Sequence, residues 1–225
     1  MIEGQFKPYQ KFQFGDLELP NVEDIPFTVA FQASAVSNGS TITWPSVQAG
    51  DIAYLFDTAA NNSGSPTLVT PSGFTSIVSE SWATFWASGI SRRICDGSET
   101  GSITGMDGTN SENKVLLVFR GTHPVASVTN STPTTQGTTG NPTSQNINAS
   151  GQVTPLIVFG MVYAGSASVA FATETPSFDA TVTDALNRLR VGYKIYNASP
   201  ANHTIDQADQ GSANYLAGFY SRLSN

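Results

Sequence analysis

Few side chains in this sequence could carry acid–base, nucleophilic or metal chemistry, and those that could lie far apart. The two histidines, His123 and His203, stand in Pro- and Asn-rich segments without a second ligand at metal-binding spacing. A hydrolytic zinc site needs several His, Cys or carboxylate ligands and an open coordination position. No Gly-x-Ser-x-Gly motif presents a serine nucleophile. We therefore predict no catalytic residue, no metal site and no cofactor, so the protein is not expected to be an enzyme.

The carboxylates suggest two further kinds of site, a glycosidase pair and a calcium loop. Glycoside hydrolysis needs two carboxyl groups on either side of a sugar cleft, but 17 acidic residues form many such pairs by chance. The run from Asp107 to Glu112 resembles a calcium loop without its glycine at position six or its glutamate at position twelve. We interpret it as an acidic turn. The carboxylates considered are Asp51, Asp57, Asp96, Glu99, Asp107 and Glu112.

Composition excludes several classes of partner. The formal net charge is −7 and only 12% of the residues are charged, against about 25% in an average globular protein. Nucleic-acid binding needs a basic surface, which ten Lys and Arg residues spread along the chain do not supply. Neither a secretory signal nor an apolar run of transmembrane length is visible. We predict no nucleic-acid partner and no membrane insertion, and we interpret Cys95 as a small core residue.

Gly, Pro, Ser, Thr and Asn divide the chain into strand-length segments. The clearest is residues 42–56, in which a Gly50-Asp51 turn is followed at once by five apolar residues. A short run rich in aromatic and branched side chains is typical of a buried strand. The scarcity of Glu, Lys and Arg also disfavours surface helices. We predict an all-β fold, a two-sheet antiparallel β-sandwich. Further strand-like segments are residues 82–94, 114–120, 156–163, 168–173, 189–196 and 215–220.

The first 27 residues differ from the rest of the sequence. They are rich in charge and contain three prolines, which exclude a continuous helix. We predict an extended N-terminal arm over residues 1–27 that lies on a neighbouring subunit or adds a strand to its sheet edge; a partly ordered leader is the alternative. The predicted subunit-interface residues are the four aromatic side chains Phe6, Tyr9, Phe12 and Phe14.

Residues 28–225 are predicted to form one β-sandwich domain. Within it, residues 121–151 are rich in Thr, Ser and Asn and carry no charge, which predicts a long loop that packs on the sheet or on a partner. The sequence leaves residues 179–189 open between a short helix and a strand.

The order of these segments resembles a family of viral proteins. It consists of Gly50-Asp51 with its apolar strand, Pro71-Ser-Gly-Phe-Thr, the segment 82–94, Leu-Val-Phe-Arg-Gly at 117–121 and two late strands. This pattern, over about 180 of the 225 residues, is similar to small accessory structural proteins of tailed bacteriophages with a jelly-roll or lectin-like sandwich.

The resemblance implies a jelly-roll-like, non-catalytic virion protein, assembled in the host cytoplasm and present in several copies. We expect an accessory tail, baseplate or fibre-associated subunit whose partners are copies of itself and other virion proteins. A capsid decoration protein is one alternative. Another is a carbohydrate-binding module for host-surface glycans, whose loop aromatics would stack on a saccharide, although core packing also accounts for these residues. They are Trp44, Phe74, Trp82 and Trp86.

Overall fold

The computed structural model describes residues 25–61, 64, 66–82, 84–106, 113–140, 142–165, 168–208 and 213–225. These residues form an all-β fold and contain no helix, so the described part of the chain has no helix able to cross a membrane. The strands are β1 Val29–Ser37, β2 Ile42–Thr43, β3 Ile52–Ala60, β4 Thr75–Trp82, β5 Trp86–Ile94, β6 Ser102–Ile103, β7 Asn113–Gly121, β8 Ser127–Asn130, β9 Thr134–Thr138, β10 Gln145–Ile147, β11 Leu156–Ala164, β12 Phe171–Thr175, β13 Ala180–Thr183, β14 Leu189–Tyr196, β15 His203–Gln207 and β16 Asn214–Ser224.

Two antiparallel sheets face each other, and each comes from one half of the chain. The first sheet has the order β1-β7-β3-β5-β4, and the second has the order β13-β14-β11-β16-β8 with β9 also paired to β16. The chain passes from the first sheet to the second between Gly121 and Ser127. The predicted all-β class is therefore confirmed, as a sandwich-like arrangement of antiparallel sheets.

Aromatic rings fill the core between the two sheets. Tyr54 of the first sheet lies 4.5 Å from Phe159 of the second, measured between ring centroids. Phe159 stacks on Phe219 at 5.0 Å and meets Phe119 edge-on at 5.7 Å. All four rings are buried, and such ring pairs stabilise a core beyond the apolar area that they bury.

Each sheet is also covered on its outer face. The three-stranded sheet β10-β15-β12 packs on the outer face of the second sheet, and the ribbon β2-β6 packs on that of the first. Strands β3 and β11 are consequently buried along their whole length. Because odd- and even-numbered residues both face a core, β11 and the first five residues of β3 are continuous apolar runs, a pattern more often found in parallel sheets.

A row of glycines lets the three-stranded sheet approach the second sheet closely. Gly160 on β11 is paired with Gly192 on β14 and with Gly218 on β16, so the three lie side by side on the outer face. The ring of Phe178 covers Gly160 and Gly192, and Ile147 covers Gly218. A Cβ added at Gly160 would lie 2.6 Å from Phe178 Cζ. The contact therefore requires residues without side chains in this row.

Several boundaries differ from the sequence predictions. Residues 121–151, predicted as a long loop, carry β8, β9 and β10, because their threonines and glutamines pair with the central strand β16 and with β15. Residues 82–94, predicted as one strand, contain the turn between β4 and β5. The open segment 179–189 forms β13 and a turn. Residues 1–24 of the predicted arm lie outside the described residues.

We expect Gly192→Ala to destabilise the protein by about 1–3 kcal/mol, because the new methyl group overlaps Phe178 and an overpacked core must shift. The matched variant is Gly140→Ala, which has open space around the added Cβ and should change stability by less than about 0.5 kcal/mol. Urea unfolding of both variants tests this. Equal midpoints for Gly192→Ala and the wild type would contradict the role of the glycine row.

Candidate functional site

The two flanks of the sandwich, where the sheets end, differ in chemistry. At one flank, β4 carries Glu80, whose carboxylate accepts hydrogen bonds from Tyr215 Oη at 2.6 Å and Thr135 Oγ1 at 3.3 Å. A charged side chain that points inward from an edge strand opposes pairing with another chain. This flank is closed by contacts within the molecule.

The other flank ends in β1 and β13. Strand β1 is nine residues long, and its sequence Val-Ala-Phe-Gln-Ala-Ser-Ala-Val-Ser contains neither charge nor proline. Among the described residues β1 pairs only with β7, so no described strand pairs with its outer edge, which we call the open or free edge. Natural proteins usually protect an edge strand of this length with charge, proline or a covering segment. Here a register shift between Phe31 and Ala33 is the one local irregularity of the β1–β7 pairing.

One side chain covers the beginning of this edge. Asn197 Oδ1 accepts a hydrogen bond from Val29 N at 2.8 Å, and Asn197 Nδ2 donates to Val29 O at 3.1 Å. The amide of Asn197 thus binds the Val29 peptide groups as a neighbouring strand would. The free edge of β1 lies beyond this residue.

Apolar side chains line the open flank. Phe31, Val182 and Ile195 are half-buried at the rim of the main core, and Phe31 stacks on Tyr193 with centroids 5.1 Å apart. Val36 near the end of β1 is 41% exposed. Within the described part of the chain, the flank therefore combines strand backbone that no other strand pairs with and apolar surface that is incompletely covered.

The four aromatics considered for saccharide stacking form two separate pairs. Trp44 and Phe74 stack at 5.6 Å, beside a surface depression of about 170 Å³. The guanidinium of Arg93 lies 5.8 Å from the Trp44 ring centre. Both rings also cover the core on the outer face of the first sheet, and both are half-buried.

The second aromatic pair belongs to the main core. Trp82 is only 7% exposed and stacks on Trp86 and on Tyr215. Its Nε1 donates a hydrogen bond to Ser88 Oγ at 2.9 Å. Trp86 is half-buried and packs against Tyr163. The structure therefore confirms core packing for Trp82.

The predicted acidic candidates bind basic partners or turn amides. Asp51 is buried and receives two hydrogen bonds from Arg120, at 2.7 and 2.8 Å, and one from Gln48 N. This bidentate pair joins the Gly50-Asp51 turn to the end of β7, so two motifs far apart in sequence meet. They border a depression of about 260 Å³.

The other carboxylates are held in a similar way. Glu99 is paired with Arg93 at 2.8 Å and accepts hydrogen bonds from two turn amides. Asp57 lies 3.2 Å from the buried ammonium of Lys114. Hydrogen bonds from Ser98 lower the pKa of Asp96. Asp107 and Glu112 lie outside the described residues, so the structure does not describe the predicted acidic turn.

Cys95 and the histidines are not brought together. Burial raises the pKa of the Cys95 thiol to about 12, and the Glu99 carboxylate adds to this shift. The residue is 2% exposed and packs in the outer core of the first sheet, which confirms the prediction of a small core residue. Among the described residues, His, Cys, Asp and Glu form no cluster of three or more that could hold a metal ion.

His203 is a buried residue whose burial no sequence pattern predicts. It lies between the second sheet and the three-stranded sheet, parallel to Phe178 at 5.8 Å, and its Nε2 is 2.8 Å from Tyr196 Oη. Its Nδ1 has no hydrogen-bond partner within the described structure. Burial lowers the pKa of His203 to about 4, and the charge of Lys194 adds to this shift.

This environment predicts a pH-dependent stability. In the unfolded chain His203 regains a pKa of about 6.5, so on acidification the unfolded state binds the proton first. The stabilisation is complete above about pH 6.5 and is lost as the pH falls toward 4. We expect His203 to contribute a loss of about 2 kcal/mol in unfolding free energy between pH 7 and pH 5.

Denaturant titrations at both pH values test this, with His203→Gln and the matched variant His123→Gln. Only the first substitution should flatten the pH dependence. If both variants keep the wild-type dependence, it does not arise from His203.

The predicted interface residues Phe6, Tyr9, Phe12 and Phe14 lie outside the described residues. No family model matches the chain, and neither the search of curated proteins nor that of solved structures finds a match. A function for this protein is therefore argued from its own sequence and geometry.

Proposed function

We propose that this protein is a non-catalytic structural component of a bacteriophage virion. In this proposal it is an accessory tail, baseplate or fibre-associated subunit that assembles in the host cytoplasm through its N-terminal arm and its sheet edges. The observation that supports assembly most directly is the open edge of β1, nine uncharged residues that directly follow the arm in sequence. Its partners are copies of itself and other virion proteins.

The jelly-roll-like description belongs to the same proposal. Two facing antiparallel sheets around an aromatic core support it. In a jelly roll, however, successive strands alternate between the two sheets, whereas here each sheet is built from one half of the chain. The proposed jelly-roll likeness therefore concerns the two facing sheets and does not include the order of the strands.

A capsid decoration protein would use the same features. The open edge, the low charge and the aromatic arm suit a subunit that binds between copies on a capsid as well as one in a tail ring. We favour the tail assignment from the sequence resemblance alone, and labelling the protein in intact particles for electron microscopy distinguishes the two locations.

Assembly is tested by the solution mass of the full chain and of a chain that begins at Phe27. Light scattering on a size-exclusion column should show an oligomer for the full chain. The shorter chain should be monomeric, because it lacks the four aromatic side chains that anchor the arm. Circular dichroism of both chains checks that the sandwich folds without the arm. A monomeric full chain at high concentration would contradict self-assembly.

A second candidate function is the binding of a host-surface glycan. The observation that favours it is the Trp44–Phe74 pair beside the depression of about 170 Å³, which Ser72, Ser102 and Thr104 also line. Half-exposed rings next to hydroxyl groups suit the apolar face and the polar edge of a neutral sugar. The Arg93 charge is balanced there by Glu99.

Glycan binding is tested on a glycan array followed by titration of any sugar that binds. We expect Phe74→Ala to weaken binding about tenfold or more, as for other truncated aromatic contacts. The matched variant Phe85→Ala removes a ring that is 43% exposed at another place and should leave binding unchanged. Equal affinities for the two variants would remove this site from consideration.

A further inference from the structure

We infer that the free edge of β1 is the acceptor site for residues 1–24 of a neighbouring copy of this chain, which add to the first sheet as one more strand. The inference rests on the proposed assembly function and identifies both contact partners. It depends on the backbone of the edge, on the side chains around it and on the path by which the chain enters β1.

The backbone of β1 presents unpaired groups in an alternating pattern. The contacts of Asn197 show that the N–H and C=O of Val29 point away from β7. In an antiparallel pair, every second residue points its peptide groups outward. The peptide groups of Ser34 and Val36 have the same orientation as those of Val29. Their partners on β7, Leu117 and Val115, lie at even spacings from Gly121, the partner of Val29. These residues give an added strand its hydrogen-bonding positions.

The side chains at the flank would be covered by such a strand. Leu117 and Val115 face the main core, so Ser34 and Val36, which are paired with them, point toward the second sheet. There the core is incompletely closed, with Val36 41% exposed and Val182 half-buried. An apolar side chain on the added strand would become one more residue of the main core.

The first 24 residues have the composition and length for this role. Phe12 and Phe14 are two residues apart, so in an extended strand both side chains lie on one face. A stretch of 24 residues spans at most about 80 Å, whereas nine residues of β1 span about 30 Å. The segment is therefore long enough to cross to a neighbouring molecule and pair there.

The path of the chain favours a neighbouring copy over the segment's own β1. Residues 25–28 continue past the end of β7 and are fixed to it. Thr122 N donates to Thr28 O at 2.9 Å, Thr122 Oγ1 donates to Pro26 O at 2.9 Å, and His123 Nε2 lies 3.2 Å from Ile25 O. The chain therefore enters β1 along the strand direction, so a segment that precedes residue 25 would have to reverse direction to pair with its own β1.

The opposite flank provides a contrast within the same molecule. Strand β4 also ends a sheet, but Glu80 is placed there and is bonded to Tyr215 and Thr135 of the second sheet. An added strand would have to accommodate this charge. Of the two outer strands of the first sheet, β1 is therefore the one suited to receive a neighbour.

Cross-linking between different molecules tests the inference. In a Cys95→Ser background, one preparation carries Val36→Cys and another carries Phe14→Cys. A short thiol-specific cross-linker is added to their mixture, and the joined peptides are identified by mass spectrometry. We expect a link between position 36 of one chain and position 14 of the other. Val153→Cys, at a valine that is 64% exposed elsewhere, is the matched control and should give no such link.

A cross-link that forms only when both cysteines are on one chain would overturn the inference, since the segment would then cover its own β1. Absence of any link between positions 14 and 36 would overturn it as well.

Charge at the edge gives a second, independent measurement. Val36→Lys should weaken self-association at least about tenfold, because a lysine on an edge strand opposes strand addition, whereas Val153→Lys should not. One combined outcome separates the two ideas: the full chain assembles, the chain beginning at Phe27 does not, and Val36→Lys has no effect on assembly. The inference about the β1 edge is then wrong, and the proposed assembly function stands. If the full chain remains monomeric, the assembly function fails.

Discussion

Antiparallel strands that are buried on both faces set the requirements for every other layer of this fold. Strands β3, β7 and β11 lie between cores on either side, so their residues must be apolar or internally paired at almost every position. This requirement explains the outer layers: the ribbon β2-β6 and the three-stranded sheet supply the second apolar face. It also explains the row formed by Gly160, Gly192 and Gly218, because a covering layer can approach a pleated sheet closely only where side chains are absent.

Charges are few, and several of them are paired in turns. Asp51 with Arg120 joins a turn to the end of β7, and Glu99 with Arg93 closes the turn after β5. Partly exposed pairs of this kind contribute modest stability, but the bidentate geometry of the Asp51–Arg120 pair holds the turn before β3 against the end of β7. The same residues could in principle have served chemistry, and in the described structure they bind each other. Within the described structure, the two surfaces for which we propose a function are the open edge of β1 and the Trp44–Phe74 pair.

The contrast between the two flanks connects fold to function. Glu80 joins the two sheets at one flank. At the opposite flank Asn38 donates a hydrogen bond to Asp184 just beyond the end of β1, but Val36 is 41% exposed and no described strand pairs with the outer edge of β1. A protein that functioned alone would have reason to protect both edges. In the proposed assembly, an open edge on one side, preceded in sequence by an aromatic segment, would join copies of the subunit in a fixed direction.

Local patterns in the sequence are sufficient to predict where several strands lie. The run at 156–163 and the alternation at 189–196 predicted strands, because the two-residue period and the burial of branched side chains are local properties. Strand partners were not determined, since pairing joins residues far apart, such as Val29 with Gly121 and Gly160 with Gly218. The same limit explains why the segment 121–151 was predicted as a loop: its threonines become strands only because β16 offers an edge. Two further features follow only from the tertiary structure. Asp51 meets Arg120 because β3 pairs with β7, and His203 is buried because the three-stranded sheet stacks on the second sheet.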